Sequence, residues 1–103
     1  MASKNNIKEA IVSYAIEKAL IEYGNAAHEE VYYRLYREHA LHFVDCYHNP
    51  EAFRKVLIET FGDSYCNIVE LVRTQLGEYS TQDHVRKFLK ALEEAWGTKK
   101  GSS

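Results

Sequence analysis

Apolar residues recur along this chain at three- and four-residue intervals, and no stretch alternates in the period-two manner of a half-buried strand. Phe53, Val56, Leu57, Thr60 and Phe61 fall at i, i+3, i+4, i+7 and i+8, and Tyr65, Ile68, Val69, Val72 and Leu76 repeat the stripe. These runs predict helices over about Pro50 to Phe61 and Ser64 to Leu76, joined by the short Gly62-Asp63 link as an αα-hairpin or corner. A third stripe, Val85, Phe88, Leu89, Leu92 and Trp96, predicts a helix starting at Ser80 or Thr81, where Ser80 and Asp83 are spaced as a capping box. Gly24, Gly62, Gly77 and Gly97 each follow an apolar run and are expected to stop a helix, since glycine takes a left-handed conformation without a Cβ clash.

The first helix is expected from about Ile7 to Tyr23, capped by Asn5 or Asn6. Its apolar residues occupy two sides: Ile7, Ile11, Tyr14 and Ile21 on one, Val12, Ile16, Ala19, Leu20 and Tyr23 on the next. A helix apolar on two sides is covered on two sides, and in so small a domain a second chain is a plausible cover. The second helix, about Ala26 to Ala40 with Asn25 as cap, carries Ala27, Val31 and Leu35 together with Tyr32, Tyr33 and Tyr36. Tyrosine buries a ring while keeping its hydroxyl wet, so this cluster marks either the rim of the core or a face for a partner. Leu41 to His48 has no clean period and reads as a loop, partly buried through Leu41, Phe43 and Val44. Asn49-Pro50-Glu51 then gives the sharpest local signal: an Asn cap, proline where its missing N–H does no harm, and an acid at the positive end of the helix dipole.

The fold class is therefore all-α, one compact bundle of about five helices over residues 7–97, with residues 1–6 and 98–103 expected as disordered ends. A chain of 103 residues with 46% hydrophobic content supports one core and not two. A net charge of -2 argues against a generally basic nucleic-acid binder, because phosphate binding rests on clustered Lys and Arg. No segment approaches the roughly 18 consecutive apolar residues of a membrane span, and the polar start lacks the build of a secretory signal. The expected location is cytoplasmic, with Cys46 and Cys66 as free thiols.

One cluster has ligand chemistry. His39, His42, Asp45, Cys46 and His48 lie within ten residues. Imidazole and thiolate suit Zn²⁺, and His28 or Cys66 could join through the fold. The spacing His-x2-His-x3-Cys-x-His matches no standard structural zinc pattern, so no metal or other cofactor is assigned, and His39, His42, Cys46 and His48 stand only as candidates. Catalysis by Cys46 is not expected either, because Asp45 beside it opposes thiolate formation.

Ala19-Leu20 with Gly24, Val31-Tyr32-Tyr33-x-Leu35, Asp45 ahead of Asn49-Pro50-Glu51-Ala52-Phe53, Leu57, Phe61-Gly62 and Ile68-Val69-Glu70-x-Val72 together resemble a small helical domain common in ammonia-oxidising archaea, the Nitrosopumilus output domain. The resemblance covers about Ile16 to Leu76. It implies a cytoplasmic output module of archaeal signalling proteins, standalone or C-terminal, with no catalytic residues to carry over. The His39 to His48 stretch and the last helix depart from that pattern.

The expected function is a non-enzymatic protein-interaction or signalling output module whose partner is itself, as a homodimer, with Ile11, Tyr14, Tyr32, Tyr33 and Tyr36 at the contact. Two alternatives belong to other classes. A DNA-binding regulator would draw phosphate contacts from Tyr32, Arg34 and Arg37 or from Arg86, Lys87 and Lys90, and a metal sensor would use the His39 to His48 cluster.

Overall fold

A computed structural model describes residues 3–102 of the chain, with side chains described for residues 7–93. Five α-helices carry the described residues: α1 (Ser3–Tyr23), α2 (Asn25–His39), α3 (Pro50–Phe61), α4 (Tyr65–Leu76) and α5 (Asp83–Ser102). Short 3-10 turns at Phe43–Tyr47, Gly62–Ser64 and Gly77–Thr81 link the later helices. No strand occurs among the described residues. The all-α bundle expected from the periodicity is the fold observed.

α1 is the central post. It packs against α4, α2 and the Phe43–Tyr47 turn, while α3 bridges α2 and α5. The α4 stripe is buried throughout, Tyr65, Ile68, Val69, Val72 and Leu76 all being 4% exposed or less. From α1, Val12, Ala15, Ile16, Ala19 and Leu20 close the core, and Phe53 meets Phe88 of α5 in a stacked pair with centroids 6.5 Å apart. Removing about 25 cal/mol per Å² of apolar surface from water at each of these positions drives the assembly.

Polar contacts fix how α5 lies on that core. Arg54 of α3 donates from Nη1 to the Ala91 carbonyl at 2.7 Å, and Tyr65 of α4 donates from its hydroxyl to the Leu92 carbonyl at 3.0 Å. Arg73 of α4 adds an ion pair to Glu93. Two neighbouring carbonyls of one helix are thus held by side chains from two others.

Several local expectations give way. α1 begins at Ser3, so neither Asn5 nor Asn6 caps it, and residues 3–6 continue the helix. The cap of α2 is Gly24, with Asn25 already inside the helix. Gly24 has an extended φ of 162°, whereas Gly62 and Gly77 end their helices at φ 59° and 58° as left-handed stops. Gly97 stops nothing, since α5 runs to Ser102. A glycine inside a helix costs only about 1 kcal/mol against alanine, and a stop requires the backbone to turn. Residues 98–102 accordingly extend α5, while the expected tail positions 1, 2 and 103 and the Trp96 side chain lie outside the described residues.

The remaining differences concern caps. Asn49 occupies the N-cap position of α3, its carbonyl accepting from Phe53 N–H at 3.2 Å, but its side chain turns back and donates to the Asp45 carbonyl at 2.9 Å. The Ser80 and Asp83 box does not form. Ser80 donates to the Gly77 carbonyl at 2.7 Å within the 3-10 turn, and Gln82 supplies the first carbonyl of α5, to Arg86 N–H at 2.8 Å. At the end of α2 the left-handed residue is Ala40, φ 56° and ψ 38°, with Leu41 N–H bonded to the Leu35 carbonyl at 3.1 Å.

Candidate interaction surface

α1 presents two unlike sides. Its buried side is the Val12, Ile16, Ala19, Leu20 set, from which Tyr23 departs: it is 45% exposed, with its ring edge-on to Phe61 at 5.3 Å. The opposite side stays open, with Ile7 60%, Tyr14 63% and Ile21 45% exposed. These three recur every seven residues and so line one stripe. Lys18 lies over the Tyr14 ring, its Nζ 6.0 Å from the centroid. Ile11 behaves differently from expectation: it is half-buried and packed against the core cluster, because it sits at the edge of the stripe where α1 turns towards its neighbours.

The tyrosines of α2 are also open. Tyr32, Tyr33 and Tyr36 are 44%, 56% and 55% exposed, although Val31 and Leu35 beside them are fully buried. Tyr32 and Tyr36 both approach the His42 ring, at 6.3 and 5.6 Å, and Tyr32 also meets Phe43 at 6.0 Å. Tyr33 stands apart beneath the Arg37 guanidinium at 5.2 Å. Rings held this way present rigid apolar area with a wet edge, the composition of interface centres. An open groove of about 360 Å³ runs between Ser13 and Glu17 of α1 and His28, Tyr32, His42, Phe43 and Val44. Val44, expected to be partly buried, is 42% exposed on its rim, while Phe43 turns inward.

The histidine and cysteine cluster is dispersed by the turn that carries it. Asp45 accepts from the His42 backbone N–H at 3.0 Å, which closes the 3-10 turn and sends successive side chains in different directions. Cys46 points inward and is fully buried; burial first, and the Asp45 charge second, push its thiol well above the usual range. Its Sγ lies 3.8 Å from the His42 carbonyl. His48 reaches Glu9 of α1 at 2.5 Å, and the Nε2 of His39 is buried with no partner among the described residues. Among the described residues no three His, Cys, Asp or Glu side chains converge in a way that could hold a metal ion.

Two polar features escaped the sequence reading. Arg34 is tied to Glu30 at 2.7 Å and Glu38 at 3.8 Å along α2, and to Glu59 of α3 at 3.9 Å. The first two lie four residues to either side and were visible as helix-spaced pairs; the third depends on how α2 and α3 pack. His84 sits against Tyr47 at 6.0 Å, and burial, with the Lys8 charge adding to it, lowers its pKa below the ordinary value despite Asp83.

The fold and the surface define a small helical domain with open aromatic and aliphatic side chains on two adjoining helices. No family model, curated protein or solved structure matches the chain, so the resemblance to the archaeal output domain rests on the residues quoted for it alone. No helix among the described residues is long and apolar enough to cross a membrane.

Proposed function

We propose that this chain is a non-enzymatic protein-interaction module, and that its contact surface is built from Tyr14 of α1 and Tyr32, Tyr33 and Tyr36 of α2. The observation that carries this reading is that the three α2 rings remain about half exposed while Val31 and Leu35, their neighbours along α2, are fully buried. A tyrosine used only to seal a core rim would lay its ring inward. Two of these rings are held beside His42 and the third beneath Arg37, so little side-chain freedom is lost when a partner covers them. A role in cytoplasmic archaeal signalling is what the output-domain resemblance implies, and it belongs to the same reading.

The basic residues named for DNA contact support that alternative poorly. Arg34 is engaged by three carboxylates, and Arg86, Lys87 and Lys90 share their groove with Asp83 and Glu93. The dispersal of the histidines likewise leaves a metal sensor without a set of converging ligands.

The test places a photo-crosslinking amino acid at Tyr33, and at Lys55 on the exposed side of α3 as control, in cells that make the protein. The expected result is a discrete adduct from position 33 that is absent from position 55 and is lost when Tyr32 and Tyr36 are changed to serine. Equal labelling from both positions, or an adduct indifferent to the two serines, overturns the proposal.

A further inference from the structure

We propose that the groove bounded by α1, α2 and the Phe43–Tyr47 turn takes the side chain of an arginine carried by a partner protein, its guanidinium lying against the Tyr32 ring and meeting the Glu17 carboxylate. This rests on the interaction reading above and specifies one anchor of the partner for it.

The groove is walled by rings. Centroids run from Tyr36 to His42 at 5.6 Å, His42 to Tyr32 at 6.3 Å, Tyr32 to Phe43 at 6.0 Å and Phe43 to His28 at 5.1 Å. This unbroken row crosses from α2 to the turn and back, and it ends at Glu17, whose Oε1 lies 3.4 Å from His28 Nε2. Phe43 is almost wholly buried, while Tyr32 stands 44% open. A row of rings that ends on a carboxylate attracts a cation in two ways, by the negative faces along its length and by a full charge at its end.

Charge names the occupant. Glu17 is the one Asp, Glu, Lys or Arg in the lining. Its side chain is 45% exposed, and its Oε2 accepts no hydrogen bond among the described residues. Just outside the lining, the Asp45 carboxylate lies 3.8 Å from Nδ1 of His42. Glu29, three residues before Tyr32 and four before Tyr33, is in no ion pair among the described residues. The cations described on α1 and α2 are turned elsewhere: Lys8 towards His84, Lys18 over Tyr14, Arg37 over Tyr33, and Arg34 among Glu30, Glu38 and Glu59. The groove is therefore acidic as well as aromatic, and no lysine or arginine of its own walls fills it.

Arginine suits these walls better than lysine. Its planar guanidinium stacks on a ring while presenting two N–H donors to one carboxylate, and it sheds water more readily than an ammonium group. A free small cation fits less well, because a groove of about 360 Å³ open on its outer side would leave it largely wet. An arginine delivered by a protein seated on Tyr32 and Tyr36 is covered by its own chain, and those contacts already hold it in place.

Two experiments test this. In the first, isotope-labelled protein is titrated with the acetylated and amidated tripeptide Gly-Arg-Gly and followed by amide NMR shifts. Saturable shifts are expected at Glu17, His28, Tyr32 and Phe43, with a Kd on the order of 1–10 mM. The same tripeptide with citrulline, which keeps the shape and loses the charge, is expected to leave them unmoved, and the lysine tripeptide to bind about 3-fold more weakly. Glu17→Gln is expected to weaken the arginine tripeptide about 5-fold and Tyr32→Leu about 3-fold, with helical circular dichroism unchanged. The absence of saturable shifts, equal binding of citrulline, or indifference to Glu17→Gln overturns the site, and lysine bound as tightly as arginine overturns the choice of arginine. In the second experiment, Glu17→Lys is added to the chain carrying the crosslinker at Tyr33 and is expected to remove its specific adduct. An adduct undiminished by Glu17→Lys overturns the arginine anchor and leaves the interaction reading standing, whereas equal labelling from positions 33 and 55 of the otherwise wild-type chain overturns both.

Discussion

Replacing Ala40 by glycine is expected to stabilise this protein, although it removes a methyl group and puts the most flexible residue at a helix end. Ala40 holds φ 56° and ψ 38°, the left-handed conformation in which Cβ crowds the following carbonyl oxygen. It is the one non-glycine residue with positive φ among the described residues. For an L-residue with a side chain that conformation costs roughly 1–2 kcal/mol. It is held by two backbone bonds, Ala40 N–H to the Tyr36 carbonyl at 3.0 Å and Leu41 N–H to the Leu35 carbonyl at 3.1 Å, which glycine leaves intact. Against the relief stands the greater freedom of glycine in the unfolded chain, about 0.4–1 kcal/mol. The difference leaves a gain of up to about 1.6 kcal/mol, centred near about 0.8 kcal/mol. For a domain of this size the central value corresponds to a Tm higher by roughly 3–6 °C. Ala40→Val supplies the opposing case, because a β-branched side chain fits the left-handed region worse than alanine does. Urea denaturation of the three proteins, read by far-ultraviolet circular dichroism, should rank glycine above alanine above valine with similar slopes. A glycine variant no more stable than wild type would show that strain at Ala40 does not limit the end of α2.

Phe53→Ala is expected to cost about 3–5 kcal/mol in the same assay, since the ring is fully buried and stacked on Phe88; a loss below about 1 kcal/mol would mean that the core closes over the gap. Ellman's reagent should modify one thiol quickly and the second only in denaturant, the fast one being Cys66, which is half-buried, and the slow one Cys46, buried with its thiol pKa raised. Removal of the fast reaction by Cys46→Ala instead of Cys66→Ser would reverse that assignment. His84 makes stability fall on the acid side. Its folded pKa lies below the ordinary 6.5, so the unfolded chain takes up the proton first and stability is lost as pH drops from 6.5 through the folded value. Urea midpoints at pH 8 and pH 5.5 should therefore differ less for His84→Gln than for wild type, and equal differences would remove His84 from the account.

Where the fold was legible in the sequence, the deciding forces are local. Proline at the first position of α3 and the stripes of α3 and α4 are properties of one helix at a time, and those helices appear within a residue of their predicted ends. The Phe43–Tyr47 turn was not legible. Its backbone hydrogen bonds close over three residues in a turn too short to show a period, and its inward residues, Phe43 and Cys46, are chosen by the helices they meet. Gly97 misled because a glycine is not sufficient to end a helix, and α2, whose end lies within a residue of the expected one, stops at Ala40 with no glycine there. Of the surface, the periodicity of α1 displayed two apolar sides, but only the positions of α2 and α4 decide which is covered. Ile11 and Tyr14, three residues apart and grouped together in the sequence, fall on either side of that boundary. The histidine and cysteine cluster failed as a group because nearness in sequence says nothing about direction once the chain turns every three residues.

The grip on α5 by Arg54 and Tyr65 has a use in engineering. With the Ala91 and Leu92 carbonyls held from two directions, the helix can neither roll about its axis nor slide along it without breaking a bond at each. Residues beyond Leu92 therefore behave as a shaft with a fixed zero mark. A reporter joined to it by continuous helix would be aimed by counting residues, each one added turning it by about 100° and lifting it by 1.5 Å. The domain would then serve as a protractor for placing one protein at a chosen angle to another.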